Sequence, residues 1–313
     1  MAINDVLVTV IIPIYNAEKY VSKLIENLRL QTFSNAEYII VNDGSTDQTD
    51  DVVTARLETL SDSRFRYVKK ENEGVSVARN FGIQIAEGEY IIFVDGDDEF
   101  SNDFIEYYYD AIVKSQADIE FFNFSALYPQ KNIQIQNYAT NLKTGYRSFN
   151  QVLKDIFNYK VQGFPFAYIS KRKLWISGFP ENIRISEDLY ALVKILKTNS
   201  DALAHYTAES RYTYVLSENS ALRSNPNADF EGIQTTKEIS KLFDKGTTEW
   251  KKSKNLTIGL YFSFLRNAIS QHDISLIEAY RKDIIKEFFK TRMPILSRIK
   301  RTIILILSFL VSK

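Results

Sequence analysis

Over the first 120 residues, short β-branched and aromatic runs alternate with longer segments of three- and four-residue apolar spacing. No other feature of the chain constrains its fold as much. Val8–Ile14, Tyr38–Val41, Phe65–Val68 and Tyr90–Val94 read as strands. Ala17–Leu30, Asp47–Leu60 and Val75–Ala86 read as helices between them, with Val21, Leu24, Ile25 and Leu28 forming the clearest buried stripe. Such an alternation predicts an α/β fold, a mostly parallel central sheet covered by helices on both faces. Ligands then bind beyond the carboxyl ends of the strands. Further along, Phe104–Val113 reads as a helix, Ile119–Phe124 as a strand and Tyr128–Tyr146 as a polar hairpin or surface excursion. Helical patterns return at Phe149–Phe157 and Glu187–Leu196, with a strand near Arg211–Val215. After about Asn225 the pattern is nearly all helical, at Phe230–Phe243, Trp250–Ser270 and Ile274–Phe289. The expected organisation is an α/β domain over 1–225, a small helical domain over 226–292 and a tail over 293–313.

Composition narrows the chemistry. The chain contains no cysteine, which excludes disulfides, zinc–thiolate sites, iron–sulfur clusters and thiol nucleophiles. His205 and His272 are its only histidines, too few for a multi-histidine metal site. Lys plus Arg and Asp plus Glu both number 39, so there is no global nucleic-acid footprint. The balance is uneven along the chain, however. From Trp250 to Lys313 there are 13 basic and 4 acidic residues, a surplus of +9, against an equal deficit over the first 249. A basic tail on an acidic body points to a negatively charged partner. The N-terminus has no basic n-region and reads as a first strand, not a signal peptide.

The strand ends carry the candidate site. The first runs into Pro13, Tyr15 and Asn16, proline marking a strand end or edge. The second runs into Asn42-Asp43-Gly44-Ser45-Thr46-Asp47. There Gly44 suits a tight turn, Asp47 a helix cap, and Asp43 sits where a carboxylate can accept from a base N–H or a ribose hydroxyl. Asn72–Gly82 opens a helix and places Arg79 beside the crevice, suited to a diphosphate or to holding a neighbouring carboxylate. The sharpest signal is Ile91–Glu99, in which four apolar residues give way to Asp95, Asp97, Asp98 and Glu99. A capping role explains one acid and not four. Clustered carboxylates need a cation or donors, and oxygen-only ligands select Mg²⁺ or Mn²⁺. Glu187 and Asp188 begin a helix, where acids are ordinary dipole partners but also fit a general base.

In this order and spacing, Val10–Asn16, Asn42–Asp47, Asn72–Gly82, Asp95–Asp98 and Glu187-Asp188 resemble the family 2 glycosyltransferases, which have the GT-A fold. The resemblance covers about residues 7 to 220. It implies transfer of a sugar, with inversion, from a nucleotide-sugar donor, most often UDP-linked. The acceptor it implies is a hydroxyl of a glycan or a lipid-linked molecule in cell-surface polysaccharide synthesis. By position it implies a nucleoside pocket of Pro13, Tyr15 and Asp43, with Arg79 ordering the nucleotide site. It further implies Asp95 and Asp97 as a DxD metal pair, Asp188 as catalytic base with Glu187 in support, and Ser220 near the diphosphate. Asn42 departs from the common DDGS motif, Lys70 stands where glutamine is frequent and Val215 where a basic residue is frequent, with Arg223 a substitute. His205 is expected to be an ordinary packed histidine. A nucleotidyltransferase is the alternative enzyme, though Ile14–Lys19 is no glycine-rich phosphate loop. A non-catalytic nucleotide-sugar-binding scaffold is the other alternative, and the joint presence of Asp95, Asp97 and Asp188 argues against it.

The C-terminal segment stands apart from the resemblance. Drawn as a helix, it puts Ile295, Ile299, Ile303, Ile306 and Leu310 on one face. Arg298, Arg301, Thr302 and Ser308 gather on the other, with Leu305 and Phe309 as exceptions. It is shorter than the ~20 apolar residues needed to span a bilayer. The expectation is a basic amphipathic helix on an anionic membrane surface, which would make the protein cytoplasmic and peripheral to the inner face of the membrane. Packing on the body or in a homo-oligomer is the alternative.

Overall fold

A computed structural model describes residues 6–136, 143–216, 228–288 and 295–311. The chain divides into two compact units, one of residues 1–153 with 160–220, the other of 154–159 with 221–313.

In the first unit, β1 (Val8–Ile14), β2 (Ala36–Asp43), β3 (Phe65–Lys70) and β4 (Tyr90–Phe93) form a parallel set in the order β3-β2-β1-β4. Three helices connect them, α1 (Val21–Arg29), α2 (Thr49–Leu60) and α3 (Val75–Ile85). After α4 (Phe104–Ser115) the sheet continues through β10 (Tyr168–Lys171), β6 (Ile119–Phe122), β11 (Leu203–Thr207) and β9 (Gly145–Ser148). β10 runs antiparallel to both β4 and β6, a reversal that its four residues do not announce in the sequence. A second sheet, ordered β5-β12-β7-β8, joins Glu99–Phe100, Tyr212–Val215, Ser125–Tyr128 and Ile133–Ile135. The expected polar excursion therefore contributes β8 and β9. Its residues 137–142 lie outside the described residues.

Alternation along β1 decides which helices cover which face. Val10, Ile12 and Ile14 join Val21, Leu24, Ile25 and Leu28 of α1 and Ile105, Tyr108 and Ile112 of α4 in one core. Each such aliphatic side chain gains about 1.5–3 kcal/mol on full burial. Ile11 lies on the opposite face, under α3. A Cβ at Gly82 of α3 would come within 2.5 Å of Ile11 Cγ2, so glycine sets the helix–sheet distance. Pro13 is the penultimate residue of a strand that stands mid-sheet. Pairing of β1 with β4 stops at Ile11–Phe93, however, and only β2 continues alongside, so the missing N–H falls where β1 has become a local edge.

The loops past these strands are stitched together. The Asn16 amide donates to Ser45 Oγ at 2.9 Å, and the Thr46 amide to Asn16 Oδ1 at 2.9 Å, with Asn16 at φ 49°. Gly44 turns the chain at φ 70°, and a Cβ there would lie 2.5 Å from the Asn72 amide nitrogen.

The second unit contains α7 (Ala228–Lys241), α8 (Thr248–Gln271), α9 (Ile274–Phe288) and α10 (Ile295–Val311). Ile233, Ile258, Phe262, Leu265, Ile277, Ile284 and Leu305 share its core. Lys154–Tyr159 joins this unit through Tyr159, whose hydroxyl lies 2.8 Å from the Asn255 and Leu256 carbonyl oxygens. Gly259 leaves room for that ring, since a Cβ there would overlap the hydroxyl. The helix expected at the C-terminus is present, but its packed face is not the apolar one. Leu305 and Ser308 are buried, and the Arg301 guanidinium sits 5.6 Å from the centroid of the Phe262 ring. Ile303 and Ile306 of the expected apolar stripe are 52% and 55% exposed. Leu305, an exception in the sequence reading, is thus the anchor. Among the described residues, no helix is long and apolar enough to cross a membrane.

Gly44→Ala combines a disfavoured φ with a backbone collision. It is expected to cost about 1–3 kcal/mol, read as a lower urea midpoint with an unchanged slope.

Candidate active site

The site is assembled where the carboxyl ends of β1, β2 and β4 meet the start of α6 (Glu187–Thr198). Its centre is Arg79. Although α3 exposes its outer face, Arg79 is only 5% exposed. Its Nη1 donates to Glu187 Oε1 at 2.9 Å and its Nη2 to Asp95 Oδ1 at 3.2 Å. The guanidinium also lies 5.1 Å from the centroid of the Phe179 ring. The next residue, Asn80, fixes the chain that leads to α6. Its Oδ1 accepts from the Phe179 amide at 2.7 Å, and its Nδ2 donates to the Phe179 carbonyl at 3.0 Å. Two adjacent positions of one helix therefore align Asp95 with Glu187-Asp188.

The four acids after β4 do not form one ligand cluster, because three of them already face donors of the protein. Asp95 pairs with Arg79. Asp98 is buried and accepts from the Tyr212 hydroxyl at 2.6 Å and the Val215 amide at 2.7 Å. Glu99 pairs with Lys23 at 2.6 Å on the surface. Asp97 remains open to solvent at the crevice. Partial desolvation, reinforced by the charge of Asp95, pushes its pKa up. Among the described residues, no group of three or more His, Asp or Glu side chains is arranged to hold a metal ion. What Asp95 and Asp97 offer is a pair of hard oxygen ligands whose mutual repulsion a divalent cation would relieve. Mg²⁺-type sites are commonly completed by substrate phosphates and water, so the donor set fits.

Asp188 lies in the first turn of α6, preceded by Ser186 in the left-handed region at φ 59°. Its Oδ1 accepts the Leu189 amide at 2.6 Å. Desolvation, then the neighbouring Glu187 charge, pushes its pKa up to about 7, with Arg79 opposing. A carboxylate of that pKa is matched to proton transfer near neutrality.

At the end of β2, Asp43 is 4% exposed. It accepts from Lys70 Nζ at 2.9 Å, the Glu73 amide at 3.1 Å and the Gly74 amide at 2.8 Å. Three donors leave roughly one of its four lone-pair positions for a ligand. Lys70, the departure from the family pattern, is itself a partner of Asp43. Asn42 accepts the Ser45 amide and donates to the Tyr67 hydroxyl at 2.7 Å. Tyr15 is exposed at the rim and Pro13 half-buried. Ser220 and Arg223 lie outside the described residues. His205 belongs to a separate group, its Nδ1 2.7 Å from the fully buried Glu120.

Sequence reasoning missed three tyrosines. Tyr20 feels Asp97, Asp47 and Asp95, and burial first, then these charges, pushes its hydroxyl up to about 12. Tyr168, at the start of β10, is buried and feels Asp188. Its hydroxyl and Arg79 Nε have no hydrogen-bond partner among the described residues. Tyr212 holds Asp98. None could be found by spacing, because each reaches the site from an element whose placement the local pattern does not fix.

Arg79→Met would strand the carboxylates of Glu187 and Asp95 in low-dielectric surroundings. A loss of about 3 kcal/mol in chemical denaturation at pH 7.5 is expected.

Comparison with known proteins agrees with this geometry. The family model described as glycosyl transferase family 2 matches residues 9–175. Glycosyltransferase GlyA of Streptococcus pneumoniae is 42% identical over 124 residues, 40% of this chain and 17% of that protein. The putative glycosyltransferase EpsH of Bacillus subtilis is 33% identical over 172 residues, 53% of this chain and 47% of that protein. The chain thus spans less than half the length of either relative. Among solved structures, residues 1–349 of S. aureus TarS in complex with UDP-GlcNAc superpose with a TM-score of 0.67 at 20% identity, covering 89% of this chain and 81% of that one. The mannosyltransferase PcManGT of Pyrobaculum calidifontis, in complex with GDP-Man and Mn²⁺, gives 0.57 at 16% identity, covering 97% and 86%. The expected α/β architecture of GT-A type, a mostly parallel sheet followed by a helical region, is therefore present, and the chain belongs to glycosyl transferase family 2.

Proposed function

We propose that this glycosyltransferase is inverting and metal-dependent, and that it moves a sugar from a UDP-linked donor to a hydroxyl of a glycan or lipid-linked acceptor in cell-surface polysaccharide synthesis. The observation that carries the reading is the bridge from Asp95 through Arg79 to Glu187 and Asp188. In this reading Asp95 belongs to a cation-and-diphosphate end and Asp188 to a proton-accepting end, with Arg79 between them. Support for UDP comes from the TarS complex with UDP-GlcNAc, and support for a divalent cation from the PcManGT complex with Mn²⁺.

In this reading Pro13, Tyr15 and the remaining acceptor position of Asp43 line the nucleoside pocket. Asp97, with Asp95 beside it, would hold Mg²⁺ or Mn²⁺, which when bound supplies positive charge to the departing diphosphate. The acceptor oxygen attacks the anomeric carbon as the bond to the diphosphate oxygen breaks, and Asp188 takes the hydroxyl proton. One displacement inverts the centre. Glu187 holds Arg79 in place and adds the charge that keeps Asp188 basic. The nucleotidyltransferase alternative finds no support in the family match. The scaffold alternative leaves the raised pKa of Asp188 without a purpose.

Incubation with Mn²⁺ and a panel of nucleotide sugars, read as nucleoside-diphosphate release, tests the activity. Chelation should abolish it, and full turnover in EDTA would refute metal dependence. Transfer should rise with pH through about 7, as Asp188 loses its proton. Asp188→Asn should retain UDP binding and lose at least ~10²-fold in transfer. The linkage has the opposite sign for stability. The fold raises this pKa from 3.8 to about 7, so the protonated form is favoured on folding. The stability contribution is complete below about pH 4 and lost as pH rises through 7. Asp188→Asn should therefore gain melting temperature over the parent at pH 8 and not at pH 4.

The exposed Ile303, Ile306 and Leu307 of α10, with the basic surplus of the last 64 residues, support a peripheral place on the inner face of the membrane. Co-sedimentation with vesicles containing anionic lipid should be lost on truncation after Arg292. Equal sedimentation of both forms would leave the helix a packing element of the protein or of a homo-oligomer.

A further inference from the structure

The turn after β4 contains one carboxylate that the proposed reaction does not use. Asp98 is 5% exposed, and both of its oxygens are occupied by β12, one by the Tyr212 hydroxyl and one by the Val215 amide. The same hydroxyl accepts the Asp95 backbone amide at 3.2 Å. β12 also pairs antiparallel with β5, placing Tyr212 opposite Phe100 and Thr213 opposite Glu99. The turn that carries Asp95 and Asp97 is therefore held at its first residue and at its last by one strand, 114 to 117 residues further along the chain. The hydroxyl has no freedom to move, because the Tyr212 ring stacks on Phe166 at 4.5 Å and 8° and packs beside Phe104 at 5.5 Å.

We propose that Tyr212 and Asp98 are positioning residues for the donor diphosphate, a strut that fixes the separation of Asp95 and Asp97. Three carboxylates in four positions repel one another, and a four-residue turn left to itself would relax by splaying. A tyrosine that donates to the last acid and accepts from the backbone of the first spans the turn and opposes that relaxation. The two roles use the full donor and main acceptor capacity of one hydroxyl. Asp98 is thereby assigned to the strut and not to the cation, since it is buried with one oxygen turned to the Tyr212 hydroxyl and the other to the Val215 amide. The identity of the diphosphate rests on the glycosyltransferase reading above. The strut itself rests on the hydrogen bonds.

The test uses the full chain and the variants Tyr212→Phe and Asp98→Asn. UDP binding is measured by calorimetry with and without Mn²⁺, alongside melting temperature and the donor KM and kcat. Tyr212→Phe keeps the stacked ring and removes only the strut. It is expected to weaken UDP binding about tenfold in Mn²⁺, equivalent to about 1.4 kcal/mol. The donor KM should rise by a similar factor, and metal-free UDP binding should stay unchanged. Asp98→Asn, which keeps an acceptor for only one of its two donors, should shift Mn²⁺-dependent binding by a comparable factor. A lowered melting temperature with unchanged UDP affinity and KM would reduce Tyr212 to a structural role and overturn the proposal. Loss of Mn²⁺ binding in Asp98→Asn alone would overturn it too, by making Asp98 a ligand. Absence of UDP binding in the parent chain would overturn the sugar-transfer reading together with this inference. Normal UDP binding in Tyr212→Phe would overturn the inference alone.

Discussion

One buried guanidinium holds the two halves of the site in register. Arg79 pairs with Asp95 past the end of β4 and with Glu187 at the start of α6. Desolvating an arginine is costly, and the cost is recovered only when good partners satisfy its donors. Here two carboxylates and an aromatic face do so, while Nε remains unsatisfied. The arrangement is stable only if β4, α3 and α6 are all in place, so the pair distances around Arg79 read out the integrity of the whole crevice. The same charge opposes the rise in the Asp188 pKa, which burial and Glu187 drive.

Much of the β1–β4 half was legible in the sequence because its signals are local. Strand and helix periods, Gly44 in a tight turn and acids at a strand terminus all follow from neighbours within a few residues. The observed β1 begins and ends where expected, and the stripe Val21, Leu24, Ile25 and Leu28 is the buried face of α1. For Arg79, holding a neighbouring carboxylate is one of the two roles its chemistry suggests, and it pairs with Asp95 and Glu187.

What the sequence concealed is long-range. The reversal of β10 depends on which edge of the sheet is open, and YISK carries no mark of direction. The acidic run looked like one electrostatic unit because spacing cannot show that Lys23, Arg79 and Tyr212 each claim a member. For the terminal helix the stripe was legible and the surface it meets was not. A hydrophobic stripe says what can be buried, whereas the partner surface decides what is. Here the partner accepts Leu305 and Ser308 and leaves Ile303 and Ile306 outside.

The distances along the chain between site partners carry a consequence for synthesis. Strands β1 to β4 are complete by Phe93 and can pair as they emerge, since their crossovers are local. Arg79 must wait 108 residues for Glu187, and Asp98 must wait 117 for Val215. During translation the acidic turn is therefore exposed, unbraced and inert until β12 leaves the ribosome. A chain interrupted anywhere before residue 212 would retain the β1–β4 frame without the brace on its acids. Competence thus arrives in one late step, with the strand that closes the turn.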